Sequence, residues 1–439
     1  MSDPSWTEAH VRRLFWRAGF GATPAEAERF AREGKAATLR WILKGDGPAR
    51  LVGPAPTDGG DALDPRNEWG HDALWWLDRM VRTTRPLEEK MTLFWADHFA
   101  CRDQDTPLLL DLNATLRRHA LGSFDTLLHD VTASPAMLLF LSLAGSDPAH
   151  PNENYPRELF ELFTLGKGYS ERDVREAARA MTGWKVRWTQ RGGPHTYYRA
   201  RERDTGVKRI LGHRGHHDYR DVLKLAVRHP RHAPFLTGKL WSFFVTAPLD
   251  GATRKLLVRT YRSSGYRIAP VVATILAHPA LYAELDAPDM IKAPVVAVAG
   301  ALRATGRPVD VDSWAWLLDT MGQAPFAPPS VAGWEWGPAW LSTTTMRARF
   351  EVATYLTVKG PLEVEDDSVD PTWDAARQLD AALAATGRPW ISAATRETLL
   401  RTAASMNTGL KKWEVQTMAT QTQRALRHLL LSGPDAQLH

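Results

Sequence analysis

The chain has 439 residues, 44% of them hydrophobic and 24% charged, enough apolar material for a sizeable core and too little polar bias for long disorder. Its formal charge is +5, with 55 Lys+Arg against 50 Asp+Glu and no long like-charge run, so specific nucleic-acid binding is not expected. The single cysteine, Cys101, excludes an intrachain disulfide framework or a thiolate zinc site.

The N-terminal sequence runs from Met1 through Trp6 straight into amphipathic sequence, with no apolar leader segment. The longest apolar run, Pro294 to Leu302, is too short to span a bilayer. A soluble, cytoplasmic protein without membrane contact is therefore expected.

Helix punctuation dominates the pattern. Thr23-Pro24-Ala25-Glu26 is a capping box with proline at the first helical position. Ser170-Glu171-Arg172-Asp173 repeats the device ahead of Val174, Ala177, Ala178 and Met181, which recur at helical spacing. Gly166 suits the residue that closes a preceding helix. Four amphipathic stretches end in a corner at Ser134-Pro135, His229-Pro230, His278-Pro279 and Ser432-Gly433-Pro434. Proline pushes the residue before it out of the helical region and itself suits the start of a new turn.

Between Trp184 and Gly212 the period changes. Val186 and Trp188 alternate with Lys185 and Arg187, Arg191-Gly192-Gly193-Pro194 supplies a turn, and Thr196-Tyr197-Tyr198 resumes strand-favouring residues. The fold class is thus mostly α, a large multi-helix globular domain with a small inserted β-hairpin. Its expected organisation is a main helical domain over 1–360, an acidic linker over 361–371 and a C-terminal helical cap over 372–439 packing on the same body.

Chemistry concentrates between Asn152 and Gly166. At 100° per residue Asn154, Arg157, Glu158 and Glu161 share one helical face, while Leu159, Phe160, Leu162 and Phe163 cover the rest. So greasy a helix is expected to be buried, its polar stripe turned into a cleft or an internal network. Glu158 and Glu161 lie one turn apart; two carboxylates that close divide into an acid and a base, or together hold a divalent cation. The same stripe also reads as an ion-pair ladder, since Glu153–Arg157 and Arg157–Glu161 are both spaced i,i+4.

Other candidates rank lower. His213, His216, His217 and Asp218 are metal-ligand types, but Gly212 and Gly215 suggest a mobile loop of solvated histidines. His98 sits among aromatics in Phe94-Trp95-Ala96-Asp97-His98-Phe99, the usual setting of a core histidine. Trp334, Trp336 and Trp340 crowd a Pro/Gly-rich loop, read either as a site wall or as a loop stapled by aromatic burial. No G-x-S-x-G, H-E-x-x-H or Walker A motif is present.

Several segments together resemble the bacterial domain-of-unknown-function family 1800 (DUF1800). They are Arg13-Leu-Phe-Trp-Arg-Ala-Gly-Phe-Gly-Ala-Thr-Pro24, Arg85-Pro-Leu-Glu-Glu-Lys-Met-Thr-Leu-Phe-Trp95, Asn152 to Gly166, Tyr169 to Trp184, Lys239 to Val245, Met321-Gly-Gln323 and Pro328 to Trp334. The resemblance implies one large helical domain and no established reaction. It also implies frequent export, and a frequent genetic neighbour in an alkaline-phosphatase-like protein, which makes such a protein a candidate partner. The chain departs from the family pattern at Ala96, Arg203, Ser330 and Ser342, and at Phe163, where some members carry histidine.

Two readings stand open on the residues alone. In one the chain is an enzyme with Glu158 and Glu161 as acid and base or cation ligands, Arg157 orienting an anionic group, Asn154 beside them, and His98, Asp173 and Asp204 as second-line candidates. In the other it is a non-catalytic helical scaffold or partner-binding protein.

Overall fold

In the computed structural model, residues 6–103, 105–189, 193–358, 360–365 and 368–439 are described. Asp366 and Asp367 of the acidic segment and Arg191-Gly192 of the hairpin turn lie outside them. The described residues form twenty α-helices and three two-stranded antiparallel ribbons, so the chain is mostly α.

Helices begin where their caps are written. The Thr23 hydroxyl accepts from the Glu26 N–H (3.2 Å) and the Glu26 carboxylate accepts from the Thr23 N–H (2.8 Å), while Pro24 opens the helix Pro24–Glu33. Ser170 and Asp173 make the same reciprocal pair at the head of Glu171–Ala180. The proline corners also fall as expected. Phe124–Thr132 gives way to Pro135–Phe140, Ile268–Ala277 to the 3-10 turn Pro279–Tyr282, and Val415–Ser432 to Pro434–Gln437.

The contacts divide the chain into two compact units. The first comprises Met1–Leu87, Pro279–Pro325 and Glu335–His439. Phe15, Phe20, Phe30, Trp76 and Trp314 are fully buried in it. Leu379, Leu383, Leu399, Leu426 and Leu430 form a further apolar cluster among its last three long helices. Fully burying each such leucine stabilises by about 1.5–3 kcal/mol. Val364 and Val369, from the acidic segment, are buried against Ala419, and Arg424 donates to the Val364 carbonyl at 2.7 Å.

The second unit comprises Glu88–His278 and Phe326–Trp334. Its core gathers Trp95, Phe99, Phe124, Tyr155, Phe163, Trp241 and Tyr261. The expected hairpin is Trp184–Thr189 paired with Gly193–Tyr198, Lys185 opposite Tyr197 and Val186 opposite Thr196. Trp184 anchors it on Tyr198 and Tyr219, with ring centroids at 5.4 and 4.8 Å.

Two shorter ribbons lie outside the single hairpin read from the sequence. One, in the first unit, pairs Thr57–Asp58 with Asp61–Ala62. The other pairs Lys208–Ile210 with His213–Gly215, and it replaces the mobile loop expected there. Its turn places Leu211 and Gly212 at φ of 48° and 85°, the positive pair that a tight hairpin needs. Asp173 holds this turn by accepting the Leu211 N–H at 2.7 Å.

Candidate functional site

The segment Asn152–Gly166 is helical, but not uniformly so. An α-helix spans Asn154–Glu158 and continues as a π-helix over Leu159–Thr164. The helix stops at Thr164, so the carbonyls of its last turn find no N–H further along it. The Thr164 hydroxyl takes the Leu159 carbonyl. Gly166, at φ 73°, ends the segment, its N–H and that of Leu165 both donating to Phe160.

Two buried imidazoles take the next carbonyls. His98 donates Nε2–H to Phe163 at 3.0 Å, and His232 donates Nδ1–H to Thr164 at 3.1 Å. The other nitrogen of His232 accepts from the Tyr261 hydroxyl at 2.9 Å, whereas Nδ1 of His98 has no hydrogen-bond partner among the described residues. Burial lowers both imidazoles, His98 well below its usual value with Lys239 adding to the effect, and His232 to about 4. Both are neutral near pH 7. His98 thus braces the segment that carries Glu158 from within the core.

The polar stripe faces outward, contrary to the buried cleft expected from the surrounding Leu and Phe. Asn154 and Glu161 are exposed, and Arg157 and Glu158 half-buried, while Tyr155, Pro156, Leu159, Phe160 and Phe163 fill the interior. The i,i+4 ladder is only half made. Arg157 pairs with Glu153 at 3.2 Å, but its stronger grip is bidentate on Glu171 at 2.8 Å. That hydrogen-bonded pair raises Arg157 and lowers Glu171. Glu161 instead accepts from the Tyr169 hydroxyl at 3.0 Å. Burial first, and then that carboxylate, push the Tyr169 phenol up to about 12.

Glu158 differs from its neighbours. Its carboxylate has no hydrogen-bond or ion-pair partner among the described residues. Burial raises its pKa, Glu161 raises it further, and Arg157 opposes both. The structure therefore brings Glu158, Glu161 and Tyr169 into one partly sheltered acidic cluster, with Arg157 committed to its flank. Tyr169 was missed in the sequence because it follows the Gly166-Lys167-Gly168 turn, beyond the helical periodicity.

The remaining candidates are dispersed. His216 donates Nδ1–H to the Thr205 carbonyl at 2.8 Å, and His217 donates Nε2–H to the His213 carbonyl at 3.2 Å. His213 itself is exposed on the ribbon. Asp218 caps the helix Tyr219–Arg228 by accepting from the Arg220 and Asp221 N–H groups. No group of three or more His, Cys, Asp or Glu among the described residues is placed to hold a metal ion. Asp204 is tied to Arg179 at 2.8 Å and to Lys208 at 3.3 Å. Burial opposes its ionisation, but the Arg179 hydrogen bond and the Gly206 N–H hold its pKa down.

The tryptophan loop is pinned by Asp97. The Trp334 N–H donates to Asp97 Oδ1 at 2.8 Å. Gly333, at φ 84°, lies so close that any side chain there would overlap the Asp97 carboxylate and backbone oxygen. Trp334 and Trp340 are buried, while Trp336 is partly exposed.

Fold and site together define a helical protein with an acidic surface cluster seated on a π-helical segment. The chain belongs to the family described as a protein of unknown function, DUF1800, whose model matches residues 13–438. Searches of curated proteins and of solved structures return no match.

Proposed function

We propose that the cluster of Glu158, Glu161 and Tyr169 is a proton-exchanging site, which makes this chain an enzyme of general acid/base type. The observation that carries the reading is Glu158, a half-buried carboxyl with no hydrogen-bond or ion-pair partner and a second carboxylate nearby. A carboxyl whose pKa is raised toward working pH both gives and takes a proton efficiently. Glu161, oriented by the Tyr169 hydroxyl, supplies the neighbouring negative charge. Arg157 is a positioning residue here, locking the segment to Glu171, and Asn154 lines the exposed edge. The substrate group is polar and neutral or cationic, since the two carboxylates repel anions. The same two carboxylates are the place for a divalent cation, which they would share with solvent. Specific nucleic-acid binding forms no part of this reading, and the work is placed in the cytoplasm.

The test is a carboxyl-carbon NMR titration of Glu158 in the wild type and in Glu161→Gln, repeated with magnesium. Glu158 should titrate above the ordinary glutamate range, and the Glu161→Gln change should bring it down. An ordinary titration in both proteins would defeat the proposal.

A second reading, a scaffold that binds a partner protein, is favoured by Trp69 and Trp413 in the first unit, which are 81% and 74% exposed. Large exposed indoles are common anchors of interfaces. The alkaline-phosphatase-like protein is the partner to try, by comparing its binding to wild type and to Trp69→Ala/Trp413→Ala.

A further inference from the structure

The first unit contains two neighbouring cavities that neither reading above uses. The larger, about 290 Å³, is walled in part by Trp16, Leu285, Pro288, Lys292, Gly300 and Trp390. The smaller, about 80 Å³, has Trp16, Lys292 and Gly300 in common with it and is also lined by Arg349. Trp16, on the helix Glu8–Ala18, lies so tightly over Gly300, on Pro294–Thr305, that any side chain at position 300 would collide with its indole. The larger volume is at the low end for ligand pockets, so a small molecule fits it.

The electrostatics of their common wall are lopsided. Lys292 is 8% exposed; its Nζ donates to the Ala436 carbonyl at 2.8 Å and sits 4.1 Å from the centroid of the Trp16 ring. Arg349 is 3% exposed and donates to the Gln437 side-chain oxygen at 2.7 Å and to the Lys292 carbonyl at 2.9 Å. Its Nε–H has no acceptor among the described residues. Neither cation meets a carboxylate there.

The charged groups around them are already engaged. Arg12 pairs with Glu8 and Arg388 with Asp380, while Arg17 pairs with Asp289 and also donates to the main-chain oxygen of His439, a residue of the same wall, at 2.9 Å. Arg13 is spent on the carbonyls of Leu281, Ala283 and Glu284, and the wall carboxylate Asp435 accepts the Ser392 N–H at 2.6 Å. Burial, and then Arg349, lower the Lys292 ammonium to about 7. Arg349 and the protonated form of Lys292 are held here at a cost to the fold, which an anion arriving from outside would offset while favouring the Lys292 proton.

We propose that the two cavities act as one site for a small organic monocarboxylate, its carboxylate at the shared Lys292 wall beside Arg349 and its apolar body against Trp16 and Trp390. The inference is independent of the Glu158 reading. Two cations suit one carboxylate, and the indole, proline and leucine walls suit an apolar body better than a bare inorganic ion.

The experiment is calorimetric titration of the full chain with benzoate and hexanoate, with benzamide as the neutral analogue and inorganic phosphate as the bare anion. Saturable binding of at least one carboxylate is expected, at least tenfold tighter than benzamide, with phosphate ineffective. Lys292→Met should lose at least tenfold in that affinity and melt no lower than wild type, because the cation is kept for binding. If that variant does not fold, Trp390→Ala, at a half-exposed wall position, decides: it should keep the fold and weaken the carboxylate. Absence of carboxylate binding at millimolar concentration overturns the proposal, as does equal binding of benzamide. Tighter binding of phosphate, or undiminished carboxylate affinity in the variant that folds, also overturns it.

Discussion

His98 donates its Nε2–H to the carbonyl oxygen of Phe163, a residue of the π-helix, across 3.0 Å of fully buried interior. His232 makes the matching bond to Thr164. Phe163 and Thr164 close the π-helix, so their carbonyls have no N–H further along it, and an unmet buried acceptor is expensive. These imidazoles meet that need, which gives two otherwise unconnected histidines one shared job.

Replacing His98 by alanine should therefore be severe. It opens a cavity among Phe94, Phe99, Phe124 and Phe163 and strands the Phe163 carbonyl, a combination costing about 3–5 kcal/mol. Thermal unfolding of His98→Ala should show a drop of many degrees, and a change within a degree or two would remove the bracing role.

The same pair predicts acid sensitivity. His232 is lowered to about 4 and His98 is also lowered, so both are neutral in the fold while unfolded imidazoles protonate near pH 6.5. Below about 6.5 the unfolded state binds more protons, so stability is complete above that pH and falls as pH drops toward 4. His232 alone accounts for about 3 kcal/mol of the loss. Denaturant melts between pH 7 and 4.5 should show this slope, and His232→Gln should flatten it.

Glu158 responds in the opposite sense. Its folded pKa is raised, so the folded state binds the extra proton and the charged carboxyl penalises the fold increasingly as pH climbs past the ordinary glutamate value. Glu158→Gln removes that penalty. Its melting temperature at pH 7 should equal or exceed that of wild type, within about 1 kcal/mol, and the two proteins should converge in acid. A fall of many degrees at pH 7 would assign the carboxylate to the fold instead.

Gly333→Ala tests the tether on Asp97. The substitution imposes a side chain at φ 84° and against the Asp97 carboxylate, at a cost of at least about 1–3 kcal/mol. Hydrogen exchange over 326–334 should accelerate more than exchange in the rest of the second unit. Unchanged protection of the loop would show that burial of Trp334 alone holds it.

Cys101 should be inert in the native protein. It is buried, and burial pushes its thiol up to about 12, leaving almost no thiolate at neutral pH. A thiol-reactive dye should label it only at the rate of unfolding, and immediate stoichiometric labelling would contradict this placement.

Local sequence determined where helices start and turn. The Thr23 and Ser170 boxes and the proline corners satisfy or withhold backbone groups within a few residues, so their outcome does not depend on what packs against them. The alternation around Val186 and Trp188 did the same for the hairpin. Periodicity failed where the backbone left its standard period. The π-turn at Leu159–Thr164 makes Arg157–Glu161 a poor partnership, and Arg157 finds Glu171, fourteen residues on, instead. Which side of the stripe met water was likewise invisible, because Tyr155 and Pro156 on one flank and Phe160 and Phe163 on the other fill the core only once the neighbouring helices close over them. The Lys292–Arg349 pair is the extreme case: two cations 57 residues apart acquire a shared environment only when the chain folds. A buried charge is defined by what surrounds it, and only tertiary structure supplies that surrounding.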